Sequence, residues 1–389
     1  MSCLLVLVLG VACALPSALP GAERAPFPRG VIVGARAAGM GNAFTAVAND
    51  STAIWWNPGG VAMINGPAGN YYPEIALSWG TKSVTRSNKI TTEVDTLPQF
   101  ASIIMPIPNG GDAENPKSWS LATGLSFHNF FEQDLGLDIV DRTDQFWRFS
   151  GLISFEQRLK ESGWWSQYGI GLTLDYGIRK FDQSVPPPPP LTPYLNVKDQ
   201  TKGFGASIGV LVSIYKEPGR IDWKAGITYH SSINASNETV DGFSGAKFPA
   251  VLMFGVSREY LFGGIDQLQA LLLSGNVELD GWGQVIGESG FNSKSIGFGA
   301  EYRRQMHDSM QTQNTLLGTF FLAARAGLQY RFARTIDYPN FPTINEPGSV
   351  IPTIGGGVVW NKFQLDLALN LGRSDLGEFG GVVSADYTF

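Results

Sequence analysis

The sequence predicts an all-β fold, a transmembrane antiparallel β-barrel with a small N-terminal segment folded inside its lumen. Three observations carry that prediction. Charged residues are 16% of the 389-residue chain, against roughly 25% in an average soluble domain, and its 47 glycines exceed the usual share of about 7%. No stretch beyond the N-terminal leader reaches the roughly 18 to 20 uninterrupted apolar residues of a spanning helix. From Pro67 onward, apolar residues alternate with small or polar ones in blocks of roughly ten or more, longer than the five or six residues of a typical globular strand. A sheet closed on itself is the other way to satisfy backbone groups in lipid.

Charge and cysteine usage narrow the function classes. A net charge of −6 without a basic cluster argues against nucleic acid as a partner. The two cysteines, Cys3 and Cys13, both lie in the leading apolar segment, which leaves the rest of the chain without a disulfide or a Cys-based metal site. No pair of histidines has the four-residue helical spacing of a zinc site. No cofactor and no metal is expected.

Residues 1–22 read as an export signal, with Leu4 to Val11 as a short apolar core and small residues near Ala14 and Ala22 for cleavage; a positive n-region is missing. Residues 23–66 form an extension and a small folded insert, and 67–389 the barrel. Within the insert, Asn57-Pro58 is a helix-start signal, since Asn caps free N–H groups and Pro needs no donor in the first turn. Asp50, ahead of Ser51 and Thr52, is a second such cap.

The run Arg36-Ala37-Ala38-Gly39-Met40-Gly41-Asn42-Ala43, followed by Ala46, Ala48, Asp50, Ser51, Ala53 and Asn57-Pro58-Gly59-Gly60, resembles the N-terminal plug of the FadL/TodX superfamily. The usual Asn-Pro-Ala-Gly is here Asn-Pro-Gly-Gly, and the likeness covers about thirty residues. The resemblance implies a bacterial outer-membrane barrel of fourteen strands with the N-terminal segment as a hatch, passing hydrophobic compounds such as long-chain fatty acids. Its partners would then be outer-membrane lipids and a hydrophobic small molecule. The Arg-Ala-Ala-Gly-Met-Gly form also resembles the PorV/PorQ branch, which implies instead a subunit that docks a secreted or secretion-system protein. On either reading Arg36, Gly39, Gly41, Asp50, Asn57 and Pro58 are the plug or gating residues. Arg36 either holds the plug by pairing with an inward carboxylate, Asp175, Asp222, Glu301 or Asp366, or acts as a latch that ligand releases.

With that family in view, fourteen alternating blocks can be counted, near 68–80, 96–106, 118–131, 144–159, 165–181, 203–216 and 221–232, then 247–260, 266–280, 293–304, 316–333, 350–360, 362–372 and 379–389. The period of two assigns faces. Phe363, Leu365, Leu367 and Leu369 point to lipid, with Gln364, Asp366, Ala368 and Asn370 to the lumen. Ile170, Leu172 and Leu174 likewise oppose Gly171, Thr173 and Asp175, and Trp223, Ala225, Ile227 and Tyr229 oppose Lys224, Thr228 and His230. Aromatics at block ends, Trp164-Trp165, Tyr260 and Trp360 among them, fit interfacial girdles. Strand-interior glycines at 169, 171 and 177 mark bulges or close backbone approach, including a lateral opening. Trp360-Asn361-Lys362 reads as a periplasmic turn. Thr81 to Asp95, Asp182 to Lys202, Ser231 to Ala246 and Thr335 to Ser349 read as external loops, one of them holding the five-proline run from Pro186, which favours a stiff extended helix. The chain ends on Phe389, as barrel assembly signals do.

Gly205-Ala206-Ser207-Ile208-Gly209 matches a nucleophile pattern that requires a sharp strand-to-helix turn. Alternation continues unbroken through it, so Ser207 reads as a lumen-facing strand residue and no catalytic residue is expected. A barrel hydrolase would need a serine and a histidine within hydrogen-bond reach. Phe146, Leu272 and Phe321, apolar residues on otherwise polar faces, are the candidate lining of a luminal ligand pocket. The function expected is passive uptake of hydrophobic or amphipathic small molecules, with the secretion subunit as the alternative.

Overall fold

The structure is a computed structural model that describes residues 33–64, 73–86, 89–94, 99–109, 117–134, 141–161, 164–185, 195–215, 223–233, 249–262, 268–281, 291, 293–306, 320–336, 344–360, 362–372 and 379–389. The leader at 1–22, the boundary at 66, Asp222, His307 and the proline run at 186–190 lie outside the described residues.

Alternation of side chains produces long strands. They are β1 (Glu74–Arg86), β2 (Lys89–Val94), β3 (Phe100–Asn109), β4 (Lys117–Asp134), β5 (Asp141–Glu161), β6 (Trp164–Val185), β7 (Leu195–Tyr215), β8 (Trp223–His230) and β9 (Val251–Phe262). There follow β10 (Gln269–Asp280), β11 (Ser293–Met306), β12 (Phe320–Arg331), the short pair β13 (Arg334–Ile336) and β14 (Ile344–Glu346), then β15 (Ser349–Trp360), β16 (Phe363–Leu371) and β17 (Phe379–Thr388). Each main strand pairs antiparallel with its neighbours, and β17 returns to β1 in register from Glu74↔Thr388 to Gly80↔Val382. With β2 branching off β1 as a hairpin, the fifteen-stranded sheet closes as a ring of fourteen strands, each matching one of the alternating blocks. Closure leaves no unpaired edge at the seam.

The two faces of the wall are inverted relative to a soluble barrel. Leu365 and Leu367 are 45% and 52% exposed while Asp366 between them is 1% exposed. The same sense holds on β6, where Ile170, Leu172 and Leu174 face outward and Thr173 and Asp175 are buried. An apolar exterior around a polar interior belongs against lipid.

Strand lengths are uneven. β5, β6 and β7 have 21, 22 and 21 residues, whereas β8 has eight and β16 nine. At about 3.3 Å per residue β6 extends roughly 70 Å, far beyond what a tilted membrane strand of about ten residues needs. The surplus stands at the end away from the barrel's own termini, since β8 stops at His230 opposite Ser207 while β7 starts twelve residues earlier, at Leu195. This corrects two of the expected loops. Thr81 to Arg86 belongs to β1 and pairs with β2, and much of 182–202 continues β6 and β7, because backbone pairing carries on where the apolar alternation fades.

Residues 33–64 occupy the interior. From Val33 to Met63 every residue except Asn49 is buried. The core is therefore the packing of this inner segment against the wall, with Met40, Phe44, Val47, Ile54, Trp55, Trp56 and Val61 meeting Phe100, Ile104, Phe146, Met253 and Leu272. Ile233, just past β8, also turns into this core, within a stretch expected to be external loop.

Candidate functional site

The seat of the inner segment is the most elaborate constellation among the described residues. Locally the segment is a chain of tight turns. Gly34, Gly41 and Asn42 have φ of 82°, 62° and 60°, the left-handed region that glycine enters without steric cost. They bracket a short helix, Ala35–Gly39. A helical turn, Ala53–Trp56, leads through Asn57 into a 3-10 turn, Pro58–Met63. Asn57 caps it as its sequence position predicts, accepting from Gly59 N at 3.0 Å, and its amide also donates to Thr45 O and Val210 O at 3.0 Å each. Asp50 accepts from Thr52 N at 3.0 Å and from the Arg36 guanidinium at 3.3 Å.

Glycines of the wall let this backbone come close. A β-carbon on Gly226 would lie 2.5 Å from Thr45 O, one on Gly255 2.7 Å from Ala46 N, and those on Gly169 and Gly171 would collide with the carbonyls of Gly59 and Pro58. The glycines at 169 and 171 thus mark close approach of the inner segment, while Gly177 meets the Ile233 side chain. From the inner side, Gly41 N donates to Thr353 Oγ1 at 3.0 Å, that hydroxyl donates to Gly39 O at 3.1 Å, and a β-carbon on Gly39 would press on Gly355 at 3.2 Å.

Two buried polar clusters bolt the segment to different walls. In the first, Arg36 grips Glu301 in a fork, Nε to Oε2 at 2.8 Å and Nη2 to Oε1 at 2.9 Å. Glu301 also pairs with Arg325 at 2.6 Å and Arg303 at 3.2 Å, and Arg325 continues to Asp366 at 2.7 Å. Of the carboxylates expected for Arg36, the fold supplies Glu301; Asp175 and Asp366 have other arginine partners. In the second cluster Trp55 stacks on His230, centroids 5.0 Å apart, and lies under the Arg148 guanidinium at 4.9 Å. Arg148 Nη2 donates to Asp175 Oδ2 and Ser207 Oγ at 2.6 Å each and reaches His230 Nδ1 at 3.0 Å.

This second cluster brings Ser207 and His230 within hydrogen-bond reach, Oγ to Nδ1 at 2.7 Å. Its wiring differs from a nucleophilic triad, in which the carboxylate orients the histidine. Here Asp175 accepts from Ser207 Oγ at 2.8 Å and from Ser150 at 2.6 Å, and the histidine nitrogen facing the serine also faces Arg148. Ser207 is buried and stays on an uninterrupted strand under Trp55. The arrangement is a platform for an indole.

The three apolar candidates do not converge. Phe146 and Leu272 belong to the packed core, Phe146 with Arg179 over its ring at 5.0 Å. Among the described residues Leu272 borders a recess with Val47, Asn49 and Lys224. Phe321 is half-buried on β12 opposite Gln305 and Val359. Residues that sequence reasoning left unassigned, Trp55, Arg148 and Arg325, carry one common signal, a large charged or aromatic side chain on an inward or small-residue stretch.

No family model matches the chain, and no curated protein matches it. Solved structures do. A FadL homologue of Pseudomonas aeruginosa aligns over 95% of this chain and 99% of its own, with a TM-score of 0.52 at 14% identity. The chain has a FadL-like fold. The toluene transporters TbuX of Ralstonia pickettii and TodX of Pseudomonas putida align over 92% and 91% of it, at TM-scores of 0.49 and 0.46 and identities of 12% and 14%. In this FadL-like barrel the two polar clusters and the glycine seats hold residues 33–64 across the lumen.

Proposed function

We propose that the chain is a bacterial outer-membrane channel for passive passage of hydrophobic or amphipathic small molecules, long-chain fatty acids among them, with residues 33–64 as its plug. The observation that carries this reading is the seat itself. A segment clamped by separable polar contacts inside an apolar-out barrel is a removable obstruction, and passage requires it to shift. Arg36, Asp50, Asn57 and Pro58 set how firmly it sits, and Gly39 and Gly41 set how closely. The leader at 1–22 directs export, and the FadL-like fold supports placement in the outer membrane.

The test locks the plug. Ala35 N donates to Ser384 Oγ at 2.7 Å, which makes Ala35→Cys with Ser384→Cys the pair to cross-link, its closure confirmed by loss of free thiol, in a chain whose own cysteines are in the leader. Oxidised protein in liposomes should stop passing a fluorescent fatty acid and recover on reduction. Equal flux in both states would remove the plug from the mechanism. The near-complete burial of the segment also favours a second reading, a barrel with a permanently closed lumen that docks a secretion protein on its tall wall. Native mass spectrometry showing a stoichiometric protein partner without a small-molecule adduct would select it.

A further inference from the structure

The lipid-facing side of the wall is mostly apolar, and one exception on β9 stands out. The outward row of that strand is Leu252, Phe254, Val256, Arg258, Tyr260 and Phe262, alternating with buried Met253, Gly255 and Ser257. Arg258 is the single charge in the row. The neighbouring outward row on β8, Trp223, Ala225, Ile227 and Tyr229, has none. A cation facing lipid is unfavourable, least so near an interface, where a long side chain brings its charge to the head groups.

Register sets the depth of this charge. Arg258 pairs across the ladder with Trp223, the first residue of β8, and lies four residues short of the end of β9 at Phe262, so it stands near the end of the barrel that carries the termini. At that end β15 and β16 are only two residues apart, and the tall β5–β7 wall rises at the other, as short periplasmic turns and longer external loops require. Trp223, Tyr260, Trp360 and Tyr387 are exposed there, an aromatic girdle at the head-group level. Within it the Arg258 guanidinium lies 4.8 Å from the Trp223 ring centroid and 4.6 Å from that of Tyr260. The two rings fix the cation without supplying a counter-charge. Its ladder partners, Trp223 and Leu273, carry none, and Glu259, next in sequence, faces the lumen and pairs with Arg303. Among the described residues no carboxylate pairs with Arg258. A half-buried cation beside lipid favours an anion.

We infer that Arg258, set between Trp223 and Tyr260 on the outside of the barrel, binds the phosphodiester of an anionic glycerophospholipid from the periplasmic leaflet, whose acyl chains lie along Val256, Phe254 and Leu273. A planar guanidinium meets two phosphate oxygens with parallel N–H bonds. A head with net negative charge is preferred, because a zwitterionic head brings its own cation to compete for the phosphate. The inference rests on placement in the outer membrane and is independent of whether the lumen conducts.

Native mass spectrometry of the delipidated full chain in a neutral detergent, titrated with phosphatidylglycerol or with phosphatidylcholine of the same acyl chains, tests it. The first phosphatidylglycerol should bind the wild type about tenfold more tightly than the first phosphatidylcholine, the scale of one charge-assisted hydrogen-bonded pair. Arg258→Gln should erase that preference, and Arg258→Lys, which keeps the charge without the fork, should retain part of it. Arg304, exposed on the same outer face at the end of β11, controls for diffuse attraction, and Arg304→Gln should leave the preference intact. Closed-barrel electrophoretic mobility before heating certifies the fold of each variant, and Arg258→Met replaces Arg258→Gln if the latter fails it. No preference in the wild type, a preference that survives Arg258→Gln, or one lost equally with Arg304→Gln overturns the site.

Discussion

At the scale of single residues, Glu301 is the most heavily used group in the seat. It is fully buried and meets three arginines, one of them from the inner segment. Removing its charge leaves Arg36 to Asp50 and Arg325 to Asp366 alone, and breaking a buried pair from one side costs up to about 3–5 kcal/mol. Glu301→Gln is therefore expected to release the inner segment, read as protease cleavage within residues 33–64 while the barrel stays intact. Trp55→Ala should loosen it comparably, by about 3–5 kcal/mol, because it empties a buried core site as well as removing the contact with Arg148. Trp55→Phe, which keeps most of the packing, should expose the segment less than Glu301→Gln, and the reverse order would overturn the ranking of the two clusters. Ser207→Ala should leave ester hydrolysis by the purified protein at background, since Ser207 supports the platform under Trp55.

At the scale of elements, the strands do two jobs through their two faces. Outward residues set the fit to lipid. Leu367→Arg, at an exposed position in the middle of β16, should destabilise the barrel by about 2–4 kcal/mol, measured by urea unfolding in bilayers. Inward glycines set the fit to the segment. Gly226→Val would drive a side chain into Thr45 O and the Asn57 amide, both within 2.7 Å of its β-carbon. The strand tolerates valine well, so the expected result is a closed barrel with an unseated inner segment, seen as faster hydrogen exchange at residues 43–60. A Gly226→Val barrel with unchanged exchange there would show that the close approach does not hold the segment.

At the scale of the whole molecule, closure is decided at the β1–β17 seam. Seven residue pairs join these strands, and Phe389 N adds a bond to Pro73 O at 2.9 Å. Deleting residues 379–389 would open two sheet edges in lipid, where unpaired backbone groups cost several kcal/mol each. The truncated chain should lose its heat-modifiable mobility and fail to enter membranes.

Much of this architecture was legible in the chain. A period of two fixes which side chains share a face whatever lies around them, so β16 could be assigned to lipid and lumen from Phe363 to Asn370 alone, and low charge with no apolar helix left a closed sheet as the way to span. Asn57-Pro58 announced its own cap because capping is settled within three residues. Partner choice was beyond that reach. Four inward carboxylates were equivalent for Arg36 until strand order and shear put Glu301 opposite it, 265 positions away. Ser207 and His230 became neighbours only when β7 paired with β8, and Trp55, one apolar residue among several in the segment, gained its platform from strands it does not adjoin. The sequence by itself determined the strands, their faces and the local turns, because these depend on neighbours within a few residues. The tertiary structure alone decided which buried charges meet, because those contacts depend on register summed around a closed ring.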